Sequence, residues 1–431
     1  MINNNFIQFS KQDLKIAFDV GKDSLDSYYR LPNPEQKNGY SENTDKLKNT
    51  PNSILKLLAE IKNIADQYGY KNVKIVCEPT GIYHRPLLRA AFKLKMNITL
   101  VSGDATHKGK SLAGNTRNKT DEYDPKVIYI VSEFAPEITC RDTLDEYDAL
   151  RDRGRTHAQL KEAIKIVKIE LKDSIFRLFP TFKFCKEFYE GPSAKAISAL
   201  YNFNPALIVK DGKELFFEKY KKQVKGVRKA TMLRVWESAI ESNSLSLKPL
   251  LADAHAAKIR YLYEDLEKNK KRISETMIEM IKLLYALRKL GEPIPVENKA
   301  LFSDEWIALI LAETGSISDF QSFNQLQNFA GLNLRENKSG IRTGQVRTDK
   351  KGSPFLRHIL SKLAFKVCKK TFCYGEYYHG RKEDGAMGIK MMTSVARKIF
   401  KAFYGMAKSK SSFDQLRLQM CQSKYNLAIA S

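Results

Sequence analysis

The stretch LKIAFDVGKDSLDSYYR, residues 14–30, decides the fold of the N-terminal part of the chain. Residues 14–20 alternate apolar and polar side chains and end in Val20-Gly21, a pattern typical of a strand that runs into a turn. Residues 25–30 are the predicted neighbouring strand, joined to the first through residues 21–24. The sequence therefore predicts a β-hairpin at the start of a folded unit.

The next hundred residues continue this unit with alternating helices and strands. Apolar residues recur at a helical period from Asn52 to Tyr68, and VKIVC at residues 73–77 predicts a second strong strand. Thr80 is the predicted N-cap of a helix that ends near Leu94, and residues 98–101 predict another short strand. The pattern indicates an α/β domain over residues 1–140.

The middle of the chain, residues 141–290, has a helical pattern. An apolar stripe runs from about Leu144 to Phe179. A heptad follows, with Ile259, Leu266, Ile273, Met280 and Leu287 at one seam position and Leu262, Asn269, Thr276 and Leu283 at the other. This pattern fits a helical hairpin or short coiled coil, and it fits an ordinary long core helix equally well. Residues 291–295 (GEPIP) read as a linker to a third region, 291–410, which a tail at 411–431 follows.

The charge of the chain points to a polyanionic partner. The 431 residues carry 73 Lys and Arg against 49 Asp and Glu, a formal net charge of +24. Residues 331–410 alone hold 19 Lys and Arg against 5 Asp and Glu, which leaves +14. Such a surface attracts nucleic acid or anionic membrane, or it only aids solubility. No apolar run reaches the roughly 20 residues that span a bilayer. Without a secretory signal or a paired-cysteine motif, the expected location is the cytoplasm.

Four carboxylates stand at positions where they can share a cation. Asp19 ends the first strand, Glu78 follows the second strong strand, and Asp121 and Asp124 are three residues apart. Acids at the ends of neighbouring strands can converge at one sheet edge, and hard cations such as Mg²⁺ prefer oxygen ligands. Each acid also has a simpler interpretation: Asp19 as a turn residue, Glu78 as a surface acid, and Asp124 as an N-cap before Pro125. The neighbouring acids Asp23, Asp26 and Glu122 are expected to face solvent.

A Gly- and cation-rich loop surrounds Ser339 in the stretch from residue 332 to residue 352. Glycines allow backbone N–H groups to approach phosphate, and Ser353 followed by Pro354 predicts a well-capped helix start behind the loop. A serine hydroxyl is a weak nucleophile without a base or a stabilising charge, so the residues alone leave open whether Ser339 is a nucleophile or a turn serine. The candidate nucleic-acid-binding cations are Arg335, Lys338, Arg342, Arg347, Lys350, Lys351 and Arg357.

Taken together, these motifs resemble the DEDD transposases of the insertion-sequence family called IS-one-ten. The matching pieces extend from about residue 15 to residue 405 and are, in order, FDVGKDSLD, CEPTGIYH, NKTDEYD, LRDRGRTHAQLK with LFP, FAGL, RENKSG, KKGSPFLR and VARKIF. Three positions depart from the family pattern. Gly21 replaces a serine, Pro125 replaces an alanine, and LFSDEWIALILAETG lacks the glycines of a Pro-Gly-x-Gly hairpin.

The resemblance implies a fold and an activity. The expected fold is an α/β RuvC-like (RNase H-type) N-terminal domain, a mostly α-helical coiled-coil middle and a helical C-terminal transposase domain. Asp19, Glu78, Asp121 and Asp124 would bind Mg²⁺ or Mn²⁺, and Ser339 would attack a DNA phosphate. The implied partners are donor and target DNA, a noncoding bridge RNA that selects both by base pairing, and further copies of the chain in a dimer or tetramer, with no membrane. The resemblance also implies that the protein acts in a prokaryotic cytoplasm, in association with the nucleoid.

Three other functions stay open at this level. A RuvC-type metal-dependent, structure-specific DNA endonuclease would use the acids and water without the serine. An actin-like sugar kinase could use DVGK to bind phosphate, although it would not need the concentrated C-terminal charge. An RNA-binding scaffold would have lost its acids, whereas all four are intact.

Overall fold

A computed structural model of the chain describes residues 13–109, 123–135, 137–140, 142, 144–182, 190–245, 247–298, 301–336, 346–348, 352–369, 374–383 and 388–412. The chain divides into two compact units, Met1–Asp142 and Thr143–Ser431. The first is a mixed α/β unit and the second is mostly helical, as predicted at the level of secondary-structure content.

The first unit is built on a six-stranded mixed sheet. Its strands are β1 (Asp13–Val20), β2 (Ser24–Pro32), β3 (Tyr40–Lys48), β4 (Asn72–Cys77), β5 (Asn97–Val101) and β6 (Glu137–Thr139). The spatial order is β3-β2-β1-β4-β5-β6. The strands β1, β2 and β3 form an antiparallel meander, β4 and β5 continue in parallel from β1, and β6 is antiparallel at the edge.

Helices cover both faces of the sheet. They are α1 (Pro51–Gln67), α2 (Arg85–Lys93), α3 (Gly103–Gly109) and α4 (Tyr123–Val131). Alternate residues of β1, such as Ile16 and Phe18, pack against α1 and α2 in one core. Ala17 points the other way and packs with residues of α4 in a smaller core. The period of two along β1 therefore separates a face covered by α1 and α2 from a face covered by α4.

The predicted secondary structure of this unit needs one correction and one addition. The helix predicted from Thr80 begins at Arg85, because residues 80–84 form turns in which Gly81 has φ +52°. The strand β3 was not predicted, because its sequence YSENTDKLK has no apolar alternation. It is an edge strand with an exposed surface, which polar residues suit.

The second unit holds the remaining elements. They are α5 (Asp145–Leu178), α6 (Pro192–Tyr201), α7 (Pro205–Gln223), α8 (Lys229–Asn243), α9 (Pro249–Lys289), α10 (Asp304–Thr314), α11 (Phe323–Phe329), β7 (Leu334–Glu336), β8 (Val346–Thr348), α12 (Pro354–Val367), α13 (Gly375–Glu383) and α14 (Gly388–Ser409). The described residues of this unit form two apolar cores. One lies among α6, α7, α8 and the distal part of α5, and the other lies among α10, α12 and α14.

The helices α5 and α9 form a long antiparallel pair that joins these two cores. Arg153, near the start of α5, pairs with Glu279 near the end of α9 at 2.8 Å, and Lys258 near the start of α9 lies 3.4 Å from Glu170. The predicted heptad faces this contact, since Ile259, Leu266, Met280 and Leu287 are buried. Of the two polar seam residues, Thr276 is buried and its hydroxyl donates to the carbonyl of Arg272 at 2.7 Å.

The predicted linker at residues 291–295 packs into the second unit. Ile294 is buried in the same core as α10 and α12. Arg288 at the end of α9 donates to both carboxylate oxygens of Asp304 at the start of α10, at 3.2 and 2.6 Å. Residues 290–304 thus connect two packed helices, and the division into domains at 290 and 410 stays a prediction.

The contact between α5 and α10 gives a first test of the fold. A methyl group built on the buried Gly154 would lie 2.6 Å from the Cβ of Ala312, so we expect Gly154→Ala to lower the free energy of unfolding by about 1–3 kcal/mol. Gly405 on α14 is the matched control, because an added methyl group there meets nothing within 4 Å. Gly405→Ala should stabilise the helix by up to about 1 kcal/mol. Urea unfolding of both variants checks this packing, which equal stabilities would contradict.

Candidate active site

The ends of β1 and β4 place the first two predicted acids next to each other. The last parallel pair between these strands joins Phe18 to Cys77, so Asp19 and Glu78 both follow it by one residue. Side chains alternate along a strand, and Ala17 and Val76 point to the face covered by α4. Asp19 and Glu78 therefore share that face, and both are partly buried.

Asp124, another of the predicted acids, approaches this face from the helix α4 that covers it. Asp124 lies in the first turn of α4 as the structure describes it, within the helix rather than at an N-cap before it. The pKa of Asp19 is raised, first by burial and then by the negative charges of Asp124 and Glu78. The backbone N–H of Val20 donates to Asp19 and offsets part of this rise. Glu78 and Asp124, which come from two other elements, therefore both lie close enough to repel the carboxylate of Asp19.

Glu78 is held on one side by the short helix α3. The hydroxyl of Thr106 donates to Oε2 of Glu78 at 2.5 Å. A methyl group built on Gly103 would lie 2.6 Å from Oε1 of the same carboxylate. The glycine thus leaves room for Glu78, and Thr106 fixes its orientation. Neither residue was singled out from the sequence, because the contact joins residues 25 or more apart in the chain.

Asp26 is a fourth acid on this face, and its prediction as a solvent-facing residue is wrong. It lies directly opposite Asp19 in the antiparallel pairing of β1 and β2, and it is only 9% exposed. Its charge also raises the pKa of Asp19, and Lys46 of β3 lies 3.6 Å from Asp26. The predicted hairpin contained the necessary signal, since a turn over residues 21–24 pairs position 19 with position 26. Asp23 is exposed as expected.

The arrangement fits a cation-binding site in the chemistry of its donors. Asp19, Glu78 and Asp124 offer carboxylate oxygens, the ligands that Mg²⁺ and Mn²⁺ prefer, and a cation would relieve the repulsion of Asp19 by the other two. Asp121 and Glu122 lie outside the described residues. Within the part of the chain that the structure describes, no three acids, histidines or cysteines stand in a ready-made metal-binding group.

The predicted serine loop carries a short β-hairpin. The strands β7 and β8 pair in antiparallel fashion, with Arg335 opposite Arg347. Ser339, Lys338 and Arg342 fall between these strands, and Lys350 and Lys351 follow them; all five lie outside the described residues. The remaining predicted cation, Arg357, donates through Nη1 to the carbonyls of Ala330 and Gly352, at 3.2 and 3.1 Å. Arg357 thus links Ala330, just before the hairpin segment (residues 332–352), to Gly352, the last residue of that segment.

Tight backbone packing closes the same segment. A methyl group built on Gly352 would lie 2.5 Å from both the amide nitrogen of Gly331 and the carbonyl oxygen of Phe329, so no other residue fits there. The backbone N–H of Ser353 donates to the carbonyl of Phe329 at 3.0 Å. As predicted, the Ser353 hydroxyl caps α12 by accepting from the backbone N–H of Leu356.

A cluster of basic side chains lies between α5 and α12. Each helix contributes a histidine and a lysine four residues apart: His157 and Lys161 on α5, His358 and Lys362 on α12. Burial and then Lys362 lower the pKa of Lys161, while Glu305 offsets part of the effect. Burial, Lys362 and Lys161 lower the pKa of His358 in the same way, against the opposing charge of Glu162. Neither lysine has an ion-pair partner within 4 Å among the described residues. We call these four residues the α5–α12 basic cluster.

Part of the second unit is similar in sequence to a known transposase family. The family model described as Transposase IS116/IS110/IS902 family matches residues 304–379, from α10 through the hairpin and α12 into α13. No curated protein matches the chain. The family match supports an insertion-sequence transposase of this family, an enzyme that acts on DNA. None of the helices in the described residues combines the length and the apolarity needed to cross a bilayer.

The buried histidine of the basic cluster predicts a pH-dependent stability. Burial and then the charges of Lys161 and Lys362 lower the pKa of His157 from 6.5 to about 4, and only 4% of the residue is exposed. The unfolded chain therefore binds a proton more readily than the folded one. The contribution of the neutral imidazole is intact above pH 6.5 and should be lost as the pH falls through about 4, by about 3 kcal/mol.

Urea unfolding between pH 7 and pH 4 measures this dependence. We expect His157→Gln to show a smaller loss of stability than the wild type over this range. The control His255→Gln removes a partly exposed histidine from α9 and should behave as the wild type does. Parallel curves for all three proteins would show that His157 titrates normally.

Proposed function

We propose that this chain is a transposase that cuts and rejoins DNA strands with two groups of residues: a cation site made by Asp19, Glu78, Asp121 and Asp124, and a nucleophilic serine at position 339. The observation that carries the proposal is that Glu78, from the end of a strand, and Asp124, from a helix, both repel the partly buried carboxylate of Asp19 and raise its pKa. Collecting acids in a partly buried place costs stability, so such a cluster indicates a function. The mixed α/β sheet beneath it supports the RuvC-like assignment that the resemblance implies.

A divalent cation, Mg²⁺ or Mn²⁺, would supply charge stabilisation to the attacking and leaving oxygens of a phosphodiester. The chain's own residues prepare the place for it. The parallel register of β1 and β4 sets Asp19 beside Glu78, and Thr106 holds one oxygen of Glu78 in a fixed direction. Asp26 adds negative charge behind Asp19, and Lys46 partly balances it.

Ser339 would perform the covalent step. Its Oγ attacks phosphorus, the bond from phosphorus to the leaving deoxyribose oxygen breaks, and the serine proton is transferred away as the leaving oxygen gains one. The cut strand is then held as a phosphoserine ester, and a hydroxyl of another strand reverses the step to rejoin DNA. The cations of the hairpin segment are close to Ser339 in the sequence, and they would stabilise the negative charge that develops on the attacked phosphate.

Target and donor choice by an element-encoded bridge RNA completes the proposal. An RNA that pairs with DNA supplies sequence recognition, so the protein needs only broad basic contacts to the nucleic-acid backbone. The net charge of +24 and the α5–α12 basic cluster support such contacts. Assembly as a dimer or tetramer would allow the acids of one subunit to work with the serine of another.

Loss of the serine hydroxyl separates this function from its main alternative. Ser339→Ala should abolish a covalent protein–DNA adduct, which a denaturing gel with end-labelled element DNA, bridge RNA and Mg²⁺ detects. Thr343→Ala removes another hydroxyl from the same loop and should leave the adduct intact. A RuvC-type endonuclease needs only the acids of the cation site and water. Its Ser339→Ala variant would cleave DNA as well as the wild type does, and the wild type would form no adduct.

The basic cluster predicts a change in the salt dependence of binding. Each phosphate contact contributes about 0.9 to the slope of log K against log salt, so Lys161→Gln with Lys362→Gln should reduce the slope by up to about 2. Lys271→Gln removes a lysine that is exposed on α9 and lies 3.9 Å from Glu275, so it should leave the slope unchanged. Fluorescence anisotropy with labelled DNA over a range of KCl concentrations measures the slopes. An unchanged slope in the double variant would place the binding surface elsewhere.

A further inference from the structure

Glu313 is a buried carboxylate at the end of α10, within the apolar core of the second unit. Its side chain is only 5% exposed. Two groups donate to its Oε2 atom: Nη2 of Arg155 at 2.9 Å and the hydroxyl of Ser353 at 2.8 Å. A buried charge is costly unless it is paired and hydrogen-bonded, so these two contacts account for its presence. They also connect three elements that are far apart in the sequence.

Ser353 is the residue at which the hairpin segment ends and α12 begins. Its hydroxyl has a single proton, which goes to Glu313, and its oxygen accepts from the backbone N–H of Leu356 at 3.2 Å. Its own backbone N–H donates to Phe329, just before the hairpin segment. Three hydrogen bonds in different directions therefore fix the point from which the segment departs.

Arg155 brings the long helix α5 into the same network. Its guanidinium carbon lies 4.0 Å from the ring centroid of Phe355, the second residue of α12, while its Nη2 reaches Glu313. The residues next to this ion pair in the chain, Gly154 and Ala312, approach each other closely and so pack α5 against α10. The cation therefore contacts both α10 and α12 from a helix that is already packed against them.

We propose that Glu313 and Arg155 are positioning residues for the Ser339 hairpin. They fix the start of α12 against α10 and α5, and with it the residue at which the hairpin segment ends. This inference rests on the proposed role of Ser339 for its catalytic consequence. Its structural part, that the Glu313 contact holds the hairpin in place, is independent of the chemistry.

A swap of hydrogen-bonding partners tests the contact without loss of the helix cap. Aspartate caps helices as well as serine does, but it has no proton to give Glu313 and would repel it, so Ser353→Asp should break this contact alone. Adding Glu313→Gln supplies an amide that donates to the new aspartate and should restore the contact. Ser353→Thr keeps both the cap and the donor.

The experiment uses the full-length chain and two readouts. Hydrogen exchange of peptides covering 332–352 should be about tenfold faster in Ser353→Asp, as expected for the loss of a hydrogen bond to a charged group. The Ser339 adduct should form about tenfold more slowly, while affinity for DNA stays within about twofold. The double variant should recover most of both effects, and Ser353→Thr should match the wild type. Arg153→Met removes the exposed pair with Glu279 from the same helix and should change neither readout.

Each result decides the matter. Unchanged exchange in Ser353→Asp, or failure of Glu313→Gln to restore it, would overturn the proposal. Faster exchange with an unchanged rate of adduct formation would also overturn it, since the hairpin would then not depend on this contact for its chemistry. If the wild type forms no adduct, the proposed function fails together with the catalytic part of this inference, whereas the exchange data still decide whether Glu313 holds the hairpin.

Discussion

The parallel pairing of β1 with β4 is the constraint on which the candidate site depends. It places Asp19 and Glu78 at the same edge of one sheet, where Asp26 from β2 and Asp124 from α4 add further negative charge. The apolar residues on the opposite face of β1 hold this arrangement against the repulsion it creates. Stability supplied by the core is thus used to keep together charges that would otherwise separate, which is the usual relation between a scaffold and a functional site.

A second constraint acts in the helical unit, through the motif LRDRGRTHAQLK at residues 150–161. The structure gives separate packing roles to several of its members: Gly154 allows α5 to approach α10, Arg155 neutralises Glu313, and His157 is the buried histidine of the α5–α12 basic cluster. The glycine of KKGSP has a comparable role, since Gly352 packs on the backbone of Phe329 and Gly331. Arg155 contacts Phe355 near the start of α12, and Gly352 packs on the residues before the hairpin segment, so we interpret these two motif residues as anchors of the ends of that segment.

Much of the fold could be predicted because its signals are local. The alternation in residues 14–20, the heptad of α9 and the Ser353-Pro354 start of α12 all depend on neighbours in the chain. The strand β3 lacks such a signal because it is a polar edge strand. Thr106, Glu313 and Arg155 could not be found from the sequence, because their partners lie 28, 40 and 158 residues away. Asp26 could have been found by counting across the hairpin turn.

The most direct test of the cation site is thermal unfolding of the full-length protein with and without Mg²⁺. Asp19→Asn removes a repelled, partly buried charge, so without Mg²⁺ it should unfold at the same temperature as the wild type or a higher one. Saturating Mg²⁺, at about 100 times Kd, should stabilise the wild type by about 2.7 kcal/mol and leave Asp19→Asn unchanged. Asp23→Asn, an exposed acid of the same hairpin, should respond as the wild type does. An equal gain from Mg²⁺ in Asp19→Asn would contradict the site.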